Sequence, residues 1–352
     1  MGKLIYSGPK LFLERLEESA GSIPFNLINP DVISIENIKK SNNKEILIGR
    51  LDGAYHYDFT PRNFYNFLNQ RSKPYHDKLK FLLKAPVFSS SFVNQSVNNY
   101  LNRASKWLIN NSDGIVFQSQ ISKKMHQLFV GFEEHQCKNI IISNGVDLDQ
   151  FSPIKSAIKL KGYPSIIISA SKYRFGKRLH EAVNLVNFLS KVYPSIHLHV
   201  LGDVSELIQE SLININNEKF SFHGKIKPSE LPLYYSNADI MLSLMLFDAC
   251  PNVVVEALAS GLPVITPEES GAAELVLNNS WTVKEDAEPK YYESQTIEGI
   301  PKINLDKYSE VVIHIMNNHQ AYKDYARQRA IDELDINKVA KKYLNFYYSL
   351  KN

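Results

Sequence analysis

The chain has 352 residues, too many for one ordinary hydrophobic core, so about two domains are expected. Its composition, 44% hydrophobic and 22% charged, speaks against wholesale disorder, and a formal charge of +3 gives no reason to expect nucleic acid as a partner. Cys137 and Cys250 stand far apart and suggest neither a disulfide framework nor a zinc site.

The amino end, MGKLIYSGPK, has too short an apolar stretch for a secretory signal, and Tyr6 stands where a myristoylation motif wants Ser or Thr. It reads instead as a first strand (3–8), followed by a helix over 9–20. Further strands are expected at 32–37, 45–53, 113–119 and 139–145, with helices at 94–111 and 120–130. "SNGVDLDQFSPIKSA" (143–157) has turn residues followed by proline and reads as a linker. No apolar run reaches the roughly 18 residues of a membrane span, so a cytoplasmic protein is expected.

The second half alternates more regularly. Apolar runs at 165–171, 196–202, 219–224, 238–245 and 262–267 read as buried strands, with helical patterns at 178–193 and 251–260 between them. Strands alternating with helices predict a parallel α/β sheet, in which ligands bind beyond the carboxyl ends of the strands. The last helix, "INKVAKKYLNFYYSLKN" (336–352), is expected to return to the first domain. The predicted division is 1–153, 154–335 and this terminal helix.

"FDACPNVVVEALASG" (247–261) carries the strongest chemical signal. Pro251 suits the start of a helix and Gly261 its end. Along that helix Asn252, Glu256 and Ser260 recur at intervals of four and form one polar row on an otherwise apolar cylinder. Such a row lines something wet or ligand-filled, or else Glu256 pairs with a neighbouring element. The amino end of the helix follows a strand, where unsatisfied N–H groups favour phosphate.

An acid, seven residues, Glu and then "ALASGLPVI" resembles the signature of the retaining GT-B glycosyltransferases of group 1. The resemblance extends over "FHGKIKPSELPLYYSNADIMLSLMLFDACPNVVVEALASGLPVITPEESGAAELV", including Gly271 to Glu274, and over the Asn-Gly-Val-Asp segment at 144–147. It implies two Rossmann-like domains with parallel sheets facing across a cleft, acceptor in the first and nucleotide sugar in the second. It implies that Glu256 holds the nucleotide ribose, since a carboxylate can accept from both hydroxyls of a diol. Asp248 would touch donor-sugar hydroxyls; the family's usual residue there is Glu, one methylene longer. "ACPN" also replaces the commoner Gly-Phe-Gly type of loop, and both departures fall on the sugar pocket. Ala249 and the backbone of Cys250, Pro251, Asn252 and Val253 are candidates for holding sugar and phosphate oxygens. Cys250 as a nucleophile is disfavoured because no His base accompanies it.

"SASKYRFGKRLHEA" (169–182) places Lys172, Arg174, Lys177 and Arg178 just after a strand. The resemblance assigns Lys177 to the departing diphosphate and leaves the accompanying cation between Lys172 and Arg174. Arg174 is favoured because a guanidinium binds two phosphate oxygens at once. Fixed cations can do the work of a metal, so neither a catalytic metal nor a cofactor beyond the donor is expected. Asp147-Leu148-Asp149 is read as turn chemistry. Backbone of Gly224, Lys225 and Ile226 would read the nucleobase.

On the acceptor side Arg50, Asp52 and His56 cluster after a strand. Gly8 precedes a proline where many relatives have Gly-Gly, and the dinucleotide Gly-x-Gly-x-x-Gly is missing, which argues against a dehydrogenase. The resemblance implies a glycan or lipid-linked acceptor. The basic, aromatic stretch 62–84 is a candidate for peripheral contact with the inner membrane face. The alternatives are an epimerase or phosphorylase of the same fold, and a non-catalytic module that binds a nucleotide sugar.

Overall fold

The computed structural model describes residues 14–19, 26–28, 46–52, 100–154, 158–210, 212, 217–288 and 300–351. Expected strands at 3–8 and 32–37, His56 and the stretch 62–84 lie outside the described residues.

The first sheet is parallel, with β1 (Asn26–Ile28), β2 (Leu47–Leu51), β3 (Gly114–Phe117) and β4 (Lys138–Ile141) in that order. Helices α1 (Tyr100–Asn111) and α2 (Gln120–Val130) flank it. Ser119 caps α2, its Oγ accepting from Ser122 N at 3.0 Å, and Gly131 ends it in the left-handed region that a glycine adopts without steric cost.

The second sheet holds β5 (Ser165–Lys172), β6 (His197–Asp203), β7 (Phe220–Gly224), β8 (Ile240–Leu242), β9 (Val264–Pro267) and β10 (Thr282–Val283). All pairs are parallel, and the spatial order is β7-β6-β5-β8-β9-β10, the doubly wound order with a switch point between β5 and β8. Helices α3 (Leu179–Leu189), α4 (Leu231–Asn237), α5 (Asn252–Ala259) and α6 (Gly271–Val276) connect these strands. β5 and β6, central in the sheet, are buried at their first six residues. The two sheets with their helices form a GT-B fold.

Helices α7 (Leu305–Asn317) and α8 (His319–Arg329) complete the second unit, and a π-turn over Ala330–Leu334 leads into α9 (Ile336–Lys351). Ile336, Val339, Ala340, Tyr343 and Phe346 of α9 join one apolar cluster with Ile48 and Val116 of the first sheet and Ile142 just after it. The chain therefore crosses between units at two adjacent points: Val146 N donates to Leu334 O at 2.8 Å and Ile336 N to Val146 O at 3.0 Å. Leu246 and Phe247, from the loop after β8, pack into the first unit's cluster beside Phe117 and Met125. Among the described residues no helix is long and apolar enough to cross a membrane.

Candidate active site

The switch point puts the carboxyl ends of β5 and β8 side by side, with α5 starting just beyond. Ser169, Tyr173, Lys177, Ser243, Pro251 and Val253 line a small cavity there. Phe175–Lys177 form a 3₁₀ turn after β5 that points Lys177 into this crevice. Its Nζ meets Asp248 Oδ2 at 3.0 Å, both groups being partly exposed. The two charged side chains singled out for phosphate and sugar are thus adjacent although 71 positions apart in the chain.

Asp248 is held by its backbone. Gly271 N donates to Asp248 O at 2.7 Å and Phe247 N to Glu269 O at 2.6 Å. A Cβ on Gly271 would overlap the Ala249 carbonyl oxygen, so only glycine permits this approach. Phe247 is left-handed (φ 53°), a costly conformation for an aromatic residue, and its ring is anchored in the first unit.

Helix α5 begins at Asn252 with Pro251 as its N-cap, not its first helical residue. Pro251 has no N–H, so the amides of this turn available to an anion come from Cys250, Asn252 and Val253. The polar row faces the first unit. Asn252 Oδ1 accepts from Asn144 Nδ2 at 2.7 Å, Glu256 Oε1 accepts from Arg15 Nη2 at 2.6 Å, and Ser260 Oγ bonds back to Glu256 O. Glu256 is 3% exposed, and burial pushes its carboxyl above the usual range while the Arg15 guanidinium pulls it back. Cys250 is buried as well, its thiol pushed up to about 12, which removes it as a thiolate nucleophile.

Lys172, the last residue of β5, and Arg174 just beyond it are both exposed. Arg178 does not join them. Fully buried, it makes a bidentate pair with Glu285 at 2.9 and 2.8 Å and donates to the carbonyls of Leu244 and Pro301. Gly224 (φ 67°) and Lys225 are exposed at the end of β7, with open space around the glycine, and Ile226 packs partly against the core. Asp147 Oδ1 accepts from the amides of Asp149 and Gln150 at 2.8 and 3.1 Å, an Asx turn. Among the described residues no three His, Cys, Asp or Glu side chains converge as a metal-ligand set.

On the first unit Arg50 is fully buried. It donates to Asp52 Oδ1 at 2.7 Å and to Asn144 Oδ1 at 2.6 Å. Asn144 passes the contact on to Cys250 O at 3.0 Å and to Asn252. Arg50 and Asp52 therefore support the donor loop through Asn144. Glu274 spans the same gap, accepting from Gln120 N at 2.8 Å and Ile121 N at 3.0 Å at the amino end of α2. Arg15, Asn144 and Glu274 are not singled out as site residues from sequence; Asn144 carries a signal in the Asn-Gly-Val-Asp segment and Glu274 in the Gly-x-x-Glu spacing, whereas Arg15 carries none.

A family model described as "Glycosyl transferases group 1" matches residues 151–328. The chain is 23% identical over 204 residues to the alpha-monoglucosyldiacylglycerol synthase of Streptococcus pneumoniae, covering 54% of this chain and 44% of that one. That match takes in less than half of the relative's length. Among solved structures, sucrose-phosphate synthase from Thermosynechococcus elongatus superposes with a TM-score of 0.62 at 16% identity, over 99% of this chain and 82% of that one. HepE of Anabaena in complex with UDP-glucose gives 0.60 at 15%, over 97% and 81%.

Proposed function

The chain belongs to the group 1 glycosyltransferases, and from that premise we propose that it moves a sugar from a nucleoside diphosphate sugar to a hydroxyl of a glycan or lipid-linked acceptor, with retention and without a metal. The observation that carries this reading is the convergence of Lys177, Asp248 and the amino end of α5 at the β5–β8 switch point. Lys177 neutralises the departing diphosphate, aided by Arg174 or Lys172 and by the amides of Cys250, Asn252 and Val253. Asp248 takes sugar hydroxyls and Glu256 the ribose diol.

In the reaction the bond from the sugar's anomeric carbon to the diphosphate oxygen breaks, and the acceptor oxygen bonds that carbon on the same face. The acceptor proton passes to a phosphate oxygen of the leaving group, so the chain needs no nucleophile. The buried Cys250 thiol accords with that. The HepE complex makes UDP-sugars the first donors to try.

Transfer assays with a panel of UDP-, GDP- and ADP-sugars test the proposal. Lys177→Ala and Glu256→Gln should each lower transfer at least tenfold, about 1.4 kcal/mol of transition-state stabilisation, with chelator leaving the rate unchanged. Wild-type rates in both variants would overturn the site. Loss of activity on chelation, restored by magnesium or manganese, would overturn the metal-free mechanism.

A further inference from the structure

Arg15, on the helical segment 14–19, comes from the other unit and lies 241 positions from Glu256. It is 6% exposed, and its guanidinium stacks over the Phe151 ring with 5.4 Å to the centroid. Nη2 holds Glu256 Oε1, whereas the buried Nε and Nη1 have no hydrogen-bond partner among the described residues. Unmet buried donors of this kind keep the cost of leaving water, so a structure that holds them beside a carboxylate is short of acceptor oxygens at that place. A ribose with its phosphates supplies such oxygens.

Resting on the reading of Glu256 as the ribose carboxylate, we propose that Arg15 is a positioning residue of the donor site. It holds Glu256 as the anion that accepts both ribose hydroxyls, and it turns its unmet N–H groups to the bound nucleotide.

Among the described residues the surroundings leave this task to Arg15. From α4, Tyr235 lies near Glu256 but its hydroxyl shares a hydrogen bond with Ser169 Oγ at 2.9 Å. On α8, Arg327 serves the carbonyls of Ala259 and Phe151, and Lys323 those of Ser236 and Ala238. On α6, Glu274 is turned to α2; in the π-turn, Glu333 pairs with Lys342 and Asp332 accepts from Gln328. Without Arg15 the carboxyl has burial acting on it and no cation against it, so it takes up a proton at higher pH. A protonated carboxyl accepts fewer hydroxyl bonds.

The test is the pH dependence of UDP binding by the full chain, followed by calorimetry for wild type, Arg15→Gln, Arg15→Lys and Glu256→Gln. Glu256→Gln has no carboxyl at that position and gives the pH dependence of the nucleotide itself. Relative to that baseline, the acid-side fall in affinity should lie on the order of one pH unit higher in Arg15→Gln than in wild type, and return to the wild-type position in Arg15→Lys. Arg15→Met gives the same comparison if the Gln variant does not fold. A wild-type profile in the neutral variants, or tighter binding than wild type at every pH, overturns the inference and leaves the donor site standing. Glu256→Gln binding UDP as wild type does would overturn the ribose reading itself.

Discussion

Lys177 and Arg178 are neighbours on the turn after β5, yet Lys177 reaches Asp248 in the crevice while Arg178 turns inward onto Glu285. The difference lies in the backbone. Arg178 is left-handed (φ 57°), and that reversal swings its side chain under the loop, where Tyr308 also donates to Glu285 Oε1 at 2.6 Å. A buried pair of this kind adds little over apolar packing, but removing one partner strands the other charge. Glu285→Ala should therefore destabilise the protein by about 3–5 kcal/mol in denaturant titrations. Lys177→Ala, at a partly exposed pair, should cost under about 1 kcal/mol of stability while lowering transfer. Comparable losses of stability in both variants would contradict this division of labour between adjacent cations.

At the level of elements, the donor crevice depends on α6 approaching the Asp248 loop without a Cβ between them. Gly271→Ala would press on the Ala249 carbonyl and weaken the Gly271 N to Asp248 O bond. Overpacking of this sort costs about 1–3 kcal/mol, and it moves Asp248 away from Lys177. The variant should keep its circular dichroism and lose transfer at least tenfold; unchanged transfer would show that the loop does not depend on α6. In the second unit β5 to β9 and helices α3 and α5 are legible because each carries an apolar run of ordinary length, β5 at 165–171 and α5 at 251–260, whereas the short α4, α6 and β10 and the more polar α7 and α8 are not. β1 was missed, since Asn26–Ile28 is too short to show a period. The polar row on α5 was visible, but its partners were not. Arg15 looks like one charge among the glutamates of an amphipathic helix, and only long-range packing brings it to Glu256. Arg178 misled for the complementary reason: a basic loop in sequence does not reveal which of its side chains the backbone turns inward.

Across the whole molecule both units carry imidazoles that are neutral in the folded state. In the first, His126 is fully buried against Phe117 with Nδ1 on Ser122 O, and burial lowers it to about 4. In the second, His197, His199 and His223 stack on β6 and β7 with centroids 4.9 and 5.2 Å apart, all lowered chiefly by burial, His197 to about 4. His199 Nε2 gives its proton to Lys161 O, so with His199 neutral its Nδ1 accepts from His223 Nε2 at 3.0 Å. Between about 4 and 6.5 the unfolded chain binds more protons at these sites than the folded one, so stability rises with pH through that window and is lost as pH falls. Glu256 and Glu274, whose carboxyls are raised, act with the opposite sign above 4.5, so the net slope alone does not isolate the histidines. A variant does. His126→Leu keeps the apolar packing and removes one titrating site, worth about 2 kcal/mol at pH 5 if its folded value lies near 4. The fall in Tm from pH 7 to pH 5 should be smaller in His126→Leu than in wild type, and an equal or steeper fall would show that His126 is not held neutral.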